Sequence, residues 1–215
     1  LHLRNRRQRQ MCIRDRELGL RANNLSTNVG IACWEWPSYM DPEKKVNGIS
    51  IVTSPYNQFE NPLYSNNKII GTYVNSIMAL HNAIERGSDE ALLLDSNENI
   101  SEGSGENLFI VKNEELITPT PDNCLNGITR QSIIKIAQDE NIDVIEKKLK
   151  YEDLVDADEA FFTGTAVEVT PISKVDETTI GDSMIGPITK KLQKIFTDTV
   201  TNKNKKYAHW LDPIN

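Results

Sequence analysis

The sequence predicts an α+β fold, in which strands and amphipathic helices are mixed without strict alternation. Short runs rich in β-branched residues or leucine recur along the chain, and three other segments carry apolar residues at helical spacing. The composition, 38% hydrophobic and 26% charged, is that of a globular chain with a core. No apolar run approaches the roughly 18 residues that a membrane-spanning helix needs, which excludes an integral membrane protein.

Eight segments have the composition of strands. In chain order the predicted strands are Ile49–Thr53, Glu90–Asp95, Leu108–Lys112, Glu115–Thr118, Asp143–Lys147, Glu159–Thr163, Pro171–Val175 and Thr178–Ile180. The second contains four consecutive apolar residues, Ala91–Leu94, which predicts burial on both faces. The third and fourth are close enough to form a hairpin.

Three segments have the periodicity of helices. The first helix is predicted over 72–86, the second over 128–140, and the third from Pro187, since proline is favoured in the first turn. Residues three or four positions apart predict the buried stripes, which are Tyr73, Ile77, Leu80 and Ile84 in the first helix and Ile188, Leu192, Ile195, Phe196 and Val200 in the third.

The net charge of −7 hides an asymmetry between the first 16 residues and the rest. Six arginines and one aspartate give 1–16 a charge of +5, which leaves −12 for the other 199 residues. Such an arm can bind nucleic acid or membrane phosphates, but no apolar stretch follows it as in a secretory signal. The words from Arg9 to Asp15 are typical of translated sequencing-adaptor read-through. We therefore predict that 1–16 is non-native or a disordered basic arm.

Cysteine and histidine are too scattered to build a site. The three cysteines and three histidines form no CxxC or Cys/His ligand pattern. The pattern therefore indicates neither a disulfide framework nor a metal site. A reducing, cytoplasmic location is expected.

Lys68 is the first candidate for chemistry. It lies between a polar loop and an apolar helix, which predicts that its stem is buried at the helix entrance. Desolvation there would disfavour the charged amine and leave the neutral form that a Schiff base requires. Taken alone, however, a single lysine is more often a surface cation.

Three turns are further candidates. Segment 101–107 (SEGSGEN) combines two acids with glycines that let a backbone approach a ligand, yet it is neither a Walker loop nor a GxGxxG motif. Segment 127–130 (GITR) precedes a helix, so Thr129 could cap that helix or the free N–H groups could hold a phosphate. Segment 164–166 (GTA) follows a strand and could present donors to an anion. An acidic hairpin, a plain cap and a plain turn remain the alternatives.

Together these segments supply a lysine for an imine, a carboxylate and two anion-binding turns, the parts of a pyridoxal-phosphate enzyme. Lys68 with 71–76 (GTYVNS), 100–109 (ISEGSGENLF), 127–130 (GITR) and 163–171 (TGTAVEVTP) resembles the branched-chain amino-acid aminotransferases of the fold-type IV group. The resemblance runs from about Leu18 to the end, in the family's order and spacing.

The resemblance implies pyridoxal 5'-phosphate as cofactor and a role for each matching residue. Lys68 matches the catalytic lysine, which forms the Schiff base and moves the proton at Cα. Tyr73 matches the tyrosine on the cofactor's phenolic oxygen, and Glu102 the carboxylate on the pyridine nitrogen, whose protonation makes the ring a better electron sink. The other matches are Leu125, Ile128, Thr129 and Thr165 for the ring and phosphate, Trp36, Tyr39, Thr165 and Ala166 for the substrate, and Asn107 and Arg130 as structural residues.

The family also implies a domain organisation. Residues 49–215 are expected to form the large cofactor-binding domain, a mixed sheet or barrel with helices. The small N-terminal domain is expected to be largely missing, with 17–48 as its remnant and linker, so that this fragment has impaired activity and exposed apolar surface.

The implied function is transfer of the amino group of leucine, isoleucine or valine to 2-oxoglutarate. The full-length form is expected to be a homo-oligomer, with no nucleic-acid or membrane partner. The alternatives are a D-amino-acid aminotransferase or aminodeoxychorismate lyase of the same fold, an inactive fragment, and a binding module that uses the basic arm.

Overall fold

Nine strands form one sheet in the part of the chain that the computed structural model describes, residues 29–30, 39–61, 67–122 and 124–211. This sheet belongs to the compact unit Ser38–Asn215. The strands are β1 Ile49–Thr53, β2 Glu90–Leu94, β3 Ile100–Gly103, β4 Asn107–Lys112, β5 Glu115–Thr118, β6 Val144–Glu146, β7 Glu159–Gly164, β8 Glu168–Val175 and β9 Thr178–Thr179.

The sheet is mixed and curled. Its order is β3-β2-β1-β8-β7-β4-β5-β6, with β9 on β8. β1 pairs in parallel with β2 and β8, and β5 with β6, whereas the other pairs are antiparallel. β3 nevertheless contacts β4, and Gly103 N–H donates to Glu106 O at 2.7 Å. The α+β class is confirmed, and so is the hairpin of β4 and β5.

Five α-helices and two 3-10 segments accompany the described strands. The helices are α1 Lys44–Asn47, α2 Tyr73–Glu85, α3 Ile128–Asp139, α4 Tyr151–Val155 and α5 Pro187–Val200, and the 3-10 segments are Ile70–Thr72 and Lys205–Trp210. The sequence patterns missed β3, most of which was predicted as part of a turn over 101–107. They also missed α1, α4 and both 3-10 segments, which are too short to show periodicity. None of the described helices has both the length and the apolar character needed to cross a membrane.

The two faces of the sheet form separate cores because side chains alternate along a strand. Leu108 and Ile110 of β4 belong to the inner cluster, with residues of β1, β7 and β8. Phe109 and Val111 belong to the outer cluster, which α3 and α5 cover. Phe109 stacks on Phe161 of β7 with the ring centroids 5.1 Å apart, as expected from their register.

Helix α2 packs on the sheet through a different stripe from the predicted one. Its buried residues are Ala79 and Ala83, which contact β1 and β2. Ile77 and Ile84 are 65% and 58% exposed, so their predicted burial was wrong. This helix carries apolar residues on more than one side, and the alanine side allows the closest approach to the strands.

Helix α5 begins at Pro187 as predicted, and a buried carboxylate caps it. Glu159 accepts hydrogen bonds from Ile188 N–H at 3.0 Å and Thr189 N–H at 2.7 Å. Leu192 is buried as predicted, whereas Val200 is 47% exposed; in the last turn the neighbouring Thr199 is the buried residue.

Candidate active site

Lys68 and Tyr73 lie together at the start of α2. The Lys68 amine donates a hydrogen bond to the Tyr73 hydroxyl, and Nζ lies 4.9 Å from the centroid of the tyrosine ring. The 3-10 segment between them is held by Thr72 Oγ1, which donates to Ile69 O at 2.8 Å. Two residues that the sequence pattern singled out are therefore brought into direct contact.

The predicted burial of the Lys68 stem was wrong. Its side chain is exposed, and the next two residues, Ile69 and Ile70, are 38% and 85% exposed. The 3-10 segment turns these apolar side chains away from the sheet, so they do not cover the lysine. Desolvation therefore does not favour the neutral amine of Lys68. The reason to assign chemistry to Lys68 is its contact with Tyr73 and its place in the same cleft as Glu102.

Glu102 is placed by the register of the sheet. It pairs with Leu93 of β2, so its side chain projects to the face on which α2 packs. Its Oε2 accepts from Leu125 N–H at 3.1 Å and from Asn107 Nδ2 at 3.4 Å, while Oε1 accepts from the Gln58 amide. Three donors from three segments thus fix the orientation of the carboxyl group.

The protonation of Glu102 is finely balanced. Loss of hydration on burial raises the pKa of its carboxyl to about 7, although the donors Leu125 N–H and Gln58 and the charge of Lys68 act in the opposite direction. A cation brought against this carboxyl would lower its pKa and favour the carboxylate.

One cleft contains these groups. It holds about 540 Å³ of empty space, part of it open to solvent. Its lining residues come from the loop before α2, the start of α2, the 101–107 segment and the loop before α3, and they are Gln58, Phe59, Asn67, Lys68, Thr72, Tyr73, Ser76, Glu102, Ser104, Gly105, Glu106, Asn107 and Leu125. Four of the predicted cofactor residues, Lys68, Tyr73, Glu102 and Leu125, therefore meet at one place.

The other predicted cofactor residues line a second cleft. Ile128 and Thr129 at the start of α3 contribute to it together with Thr165 from the turn between β7 and β8. Thr129 is not the helix cap: Gly127 occupies that position and Thr129 is buried in the first turn. Within the described ranges, no side chain caps the first N–H groups of α3.

The loop before α3 joins the two clefts. Leu125 lines the first cleft, and its carbonyl accepts from Gly127 N–H at 2.8 Å and from Asn107 Nδ2 at 2.7 Å. A Cβ on Gly127 would lie 2.5 Å from Asn107 Oδ1, so only glycine lets β4 and this loop approach so closely. Asn107 thus acts as a structural link, as the sequence indicated.

Arg130 is also held by the scaffold. It is 2% exposed, and its guanidinium donates to Pro119 O at 2.9 Å and to the side chains of Asn126 and Glu146. These partners occupy the charge within the protein, which agrees with a structural role.

The predicted substrate residues are less concentrated. Ala166 and Thr165 are exposed in the turn between β7 and β8. Tyr39 is 45% exposed and lies near Glu106 and Glu90; burial chiefly raises the pKa of its phenol, and these two acids add to the effect. Trp36 lies outside the described residues.

Several site residues were not singled out by the sequence reasoning. Gln58 lies in an Asn-rich and Pro-rich loop, where no pattern marks it. Glu106 was noticed as the second acid of 101–107, but its burial follows from the fold and no sequence signal marks it. Glu90 reads as the polar start of a strand, yet it is 1% exposed.

The comparisons with known proteins agree with this geometry. The family model of amino-transferase class IV matches residues 15–175. A branched-chain-amino-acid aminotransferase of Pseudomonas aeruginosa is 44% identical over 194 residues, which are 90% of this chain and 63% of that relative. The chain therefore spans less than two thirds of the length of this curated relative.

Solved structures show the same similarity. A branched-chain aminotransferase from the thermophilic archaeon Thermoproteus uzoniensis, solved with norvaline, aligns with a TM-score of 0.79 and 39% identity, over 86% of this chain and 60% of that one. A branched-chain amino acid aminotransferase from T.th., complexed with N-(5'-phosphopyridoxyl)-L-glutamate, gives 0.79 and 38%, over 85% and 59%. Since the family model covers well over half of the residues, this chain belongs to the class IV aminotransferases.

Proposed function

We propose that residues 49–215 form the cofactor-binding domain of a pyridoxal-phosphate-dependent transaminase. The reaction proposed is transfer of the amino group of leucine, isoleucine or valine to 2-oxoglutarate. The observation that carries this proposal is the single cleft in which the Lys68 amine contacts the Tyr73 hydroxyl and the Glu102 carboxyl is held by three donors.

The donor set fits this cofactor. An amine suits its aldehyde, a phenol suits its phenolic oxygen, and a carboxyl group with a pKa near 7 suits a ring nitrogen that must hold a proton. The uncapped N–H groups at the start of α3 suit a phosphate, because a helix N-terminus carries a partial positive charge.

Each residue has a defined task in the proposed reaction. Bound pyridoxal phosphate supplies a carbonyl carbon that condenses with amines and a ring that accepts electrons from the substrate Cα. Lys68 Nζ would hold the cofactor covalently at that carbonyl carbon, and, once the substrate amine has displaced it there, the freed amine would take and return the proton at Cα. Tyr73 would donate to the phenolic oxygen, and its hydroxyl already accepts from Lys68 Nζ. Glu102 would hold the proton on the ring nitrogen.

The second cleft is proposed to hold the anionic groups. Backbone N–H of Ile128 and the Thr129 and Thr165 hydroxyls would bind the phosphate. The N–H groups of Thr165 and Ala166 would receive the substrate carboxylate. Leu125 would pack on the ring, and Trp36 and Tyr39 are proposed to contact the substrate side chain.

The substrate assignment rests on the relatives. The curated relative of P. aeruginosa is named for branched-chain amino acids, and a solved relative is complexed with a phosphopyridoxyl derivative of L-glutamate. These names favour leucine, isoleucine and valine as donors and 2-oxoglutarate as acceptor over the substrates of a D-amino-acid aminotransferase or a lyase.

Absorbance after addition of pyridoxal phosphate tests the role of Lys68. The unsubstituted protein is expected to keep an imine band after dialysis, and Lys68→Ala is expected to lose it. Lys135→Ala is the matched control, because Lys135 is an exposed lysine on α3 whose side chain is 58% accessible. Borohydride reduction followed by peptide mapping should place the label on Lys68; a label of equal intensity on other lysines would contradict the proposal.

The substrate class is tested by the amino donor. L-leucine is expected to convert the imine band to that of the amine form of the cofactor. Conversion by D-alanine but not L-leucine would instead favour a D-amino-acid aminotransferase, and release of pyruvate from aminodeoxychorismate would favour the lyase.

A further inference from the structure

Two more glutamates adjoin the candidate site, and the proposed reaction uses neither; Glu106 lines the first cleft and Glu90 is buried beside the same turn. Glu90 at the start of β2 is 1% exposed and Glu106 at the end of the 101–107 segment is 6% exposed. Their carboxyl groups act on each other's pKa, and both accept hydrogen bonds from the same turn, Glu90 from Ser104 N–H and Glu106 from Gly105 N–H. A pair of buried carboxyl groups is unusual, because each charged group loses its hydration on folding.

The pair encloses the turn that follows Glu102. Glu90 Oε1 accepts from Ala91 N–H at 2.7 Å and from Ser104 N–H at 3.4 Å. Glu106 Oε2 accepts from Gly105 N–H at 2.9 Å, and a Cβ on Gly103 would lie only 2.9 Å from the same oxygen. The two carboxyl groups therefore fix the backbone of 103–105 through hydrogen bonds to its N–H groups.

One of the two acids must carry a proton. A hydrogen bond between carboxyl groups needs a donor, and two ionised carboxylates in contact would repel each other. Glu90 Oε2 is buried, and no hydrogen-bond partner for it is found among the described residues. A protonated Glu106 would supply a donor.

The surroundings of the pair favour this assignment. The titratable groups that act on Glu106 are Glu90 and Glu102, both acids, and the phenol of Tyr39 faces the pair. Burial and the charge of Glu90 raise the pKa of Glu106 to about 8. Burial also raises the pKa of Glu90, but Ala91 N–H, the Ser104 hydroxyl and Ser104 N–H favour its ionised form.

We propose that Glu106 is a positioning residue for Glu102: it keeps its proton, donates it in a hydrogen bond to Glu90, and so holds the 103–105 turn without adding a second charge beside Glu102. The shared proton is a property of the protein alone. Its importance for the cofactor rests on the proposed function, because only a bound ring makes the charge of Glu102 matter.

The first experiment needs no cofactor. Carbon NMR of the full chain, labelled at glutamate side-chain carboxyls, is followed from pH 5 to pH 10. One buried carboxyl is expected to stay protonated at pH 7 and to titrate above it, and its signal should vanish in Glu106→Gln. Glu177→Gln, at a position whose side chain is 96% exposed, should leave that signal unchanged. Assignment of the proton to Glu90, or a Glu106 that is ionised at pH 7, would overturn the proposal.

The second experiment adds pyridoxal phosphate. Glu106→Gln keeps a neutral donor, so its dissociation constant is expected within about twofold of the unsubstituted value and the pH profile of the imine band should be preserved. Glu106→Leu has similar volume without a donor and should weaken binding by about tenfold, because a buried acceptor is left unpaired. Equal weakening by both substitutions would overturn the positioning role.

The two proposals fail separately. If no imine band forms on any protein, the proposed function fails while the carboxyl titration still decides where the proton lies. If the band forms on Lys68 but Glu106 is ionised at pH 7, the proposed function stands and this inference falls.

Discussion

Gly127→Ala is expected to disturb the candidate site through one contact. Gly127 caps α3 with φ −63° and ψ 149°, a conformation that alanine adopts without strain. The new Cβ would nevertheless lie 2.5 Å from Asn107 Oδ1, closer than such atoms pack. Asn107 is 5% exposed and its amide donates to Leu125 O and Glu102, so its side chain cannot turn away without breaking these bonds. The clash must therefore be relieved by a shift of β4 or of the loop before α3.

The magnitude follows from the bonds that such a shift breaks. Asn107 Nδ2 donates to Leu125 O at 2.7 Å and to Glu102 Oε2 at 3.4 Å. Leaving a buried acceptor unpaired costs about 1–3 kcal/mol, and overpacking costs about 1–3 kcal/mol. Alanine is also a weaker N-cap than glycine, which adds about a few tenths of a kcal/mol to the loss. Because one shift relieves the clash and breaks the bonds together, we expect a loss of about 2–4 kcal/mol.

Urea unfolding measures this loss against a matched control. Gly105→Ala introduces the same methyl group where no atom lies within 4 Å, so its free energy of unfolding should change by less than about 1 kcal/mol. The midpoint for Gly127→Ala should fall without a change of slope. Asn107→Ala should remove most of the penalty in the double variant, as coupled neighbours do. Equal effects of the two glycine substitutions would refute the reasoning.

Three further predictions address the core, the surface and the pH dependence. Phe109→Ala should lower the free energy of unfolding by about 3–5 kcal/mol, measured by the same urea titration, because it empties a fully buried site stacked on Phe161. Ile77→Lys should change the free energy of unfolding by less than about 0.5 kcal/mol, because Ile77 is exposed. If Ile77 were buried, as the sequence predicted, the loss would be several kcal/mol. The folded chain keeps the Glu106 proton that the unfolded chain releases, so the free energy of unfolding should fall as pH rises from about 4.5 to 8. Glu106 contributes at most about 1.4 kcal/mol per pH unit to this fall. Glu106→Gln should therefore make the pH dependence less steep.

The strands were more predictable than the helix faces. A strand such as β2 is marked by consecutive apolar residues, because both of its faces are covered. In α2 the same logic failed, because Ile77 and Ile84 are more hydrophobic than Ala79 and Ala83 but too large for the close approach to β1 and β2. Periodicity counts apolar residues, whereas the packing selected the small ones.

In the candidate site, too, some features could be predicted from the sequence and others could not. Lys68, Tyr73 and Glu102 lie in or beside distinctive short sequence motifs, so they could be identified from the sequence. The environment of Lys68 could not be inferred, since it depends on which way the 3-10 segment turns Ile69 and Ile70. A short sequence motif specifies residue types, whereas the burial of those residues depends on segments far away along the chain.

Glu90 illustrates why the supporting residues escape sequence reasoning. An acid at the first position of a strand normally faces water, and the chain distance from Glu90 to Glu106 contains no regular spacing that would pair them. They meet because β3 pairs with β2 while the sheet curls until β3 contacts β4. A proton on one member favours a carboxyl pair brought together by such curvature, so the protonation proposed for Glu106 follows from the geometry of the sheet. The charge left at Glu102 is thus set by the fold as a whole, and no local motif encodes it.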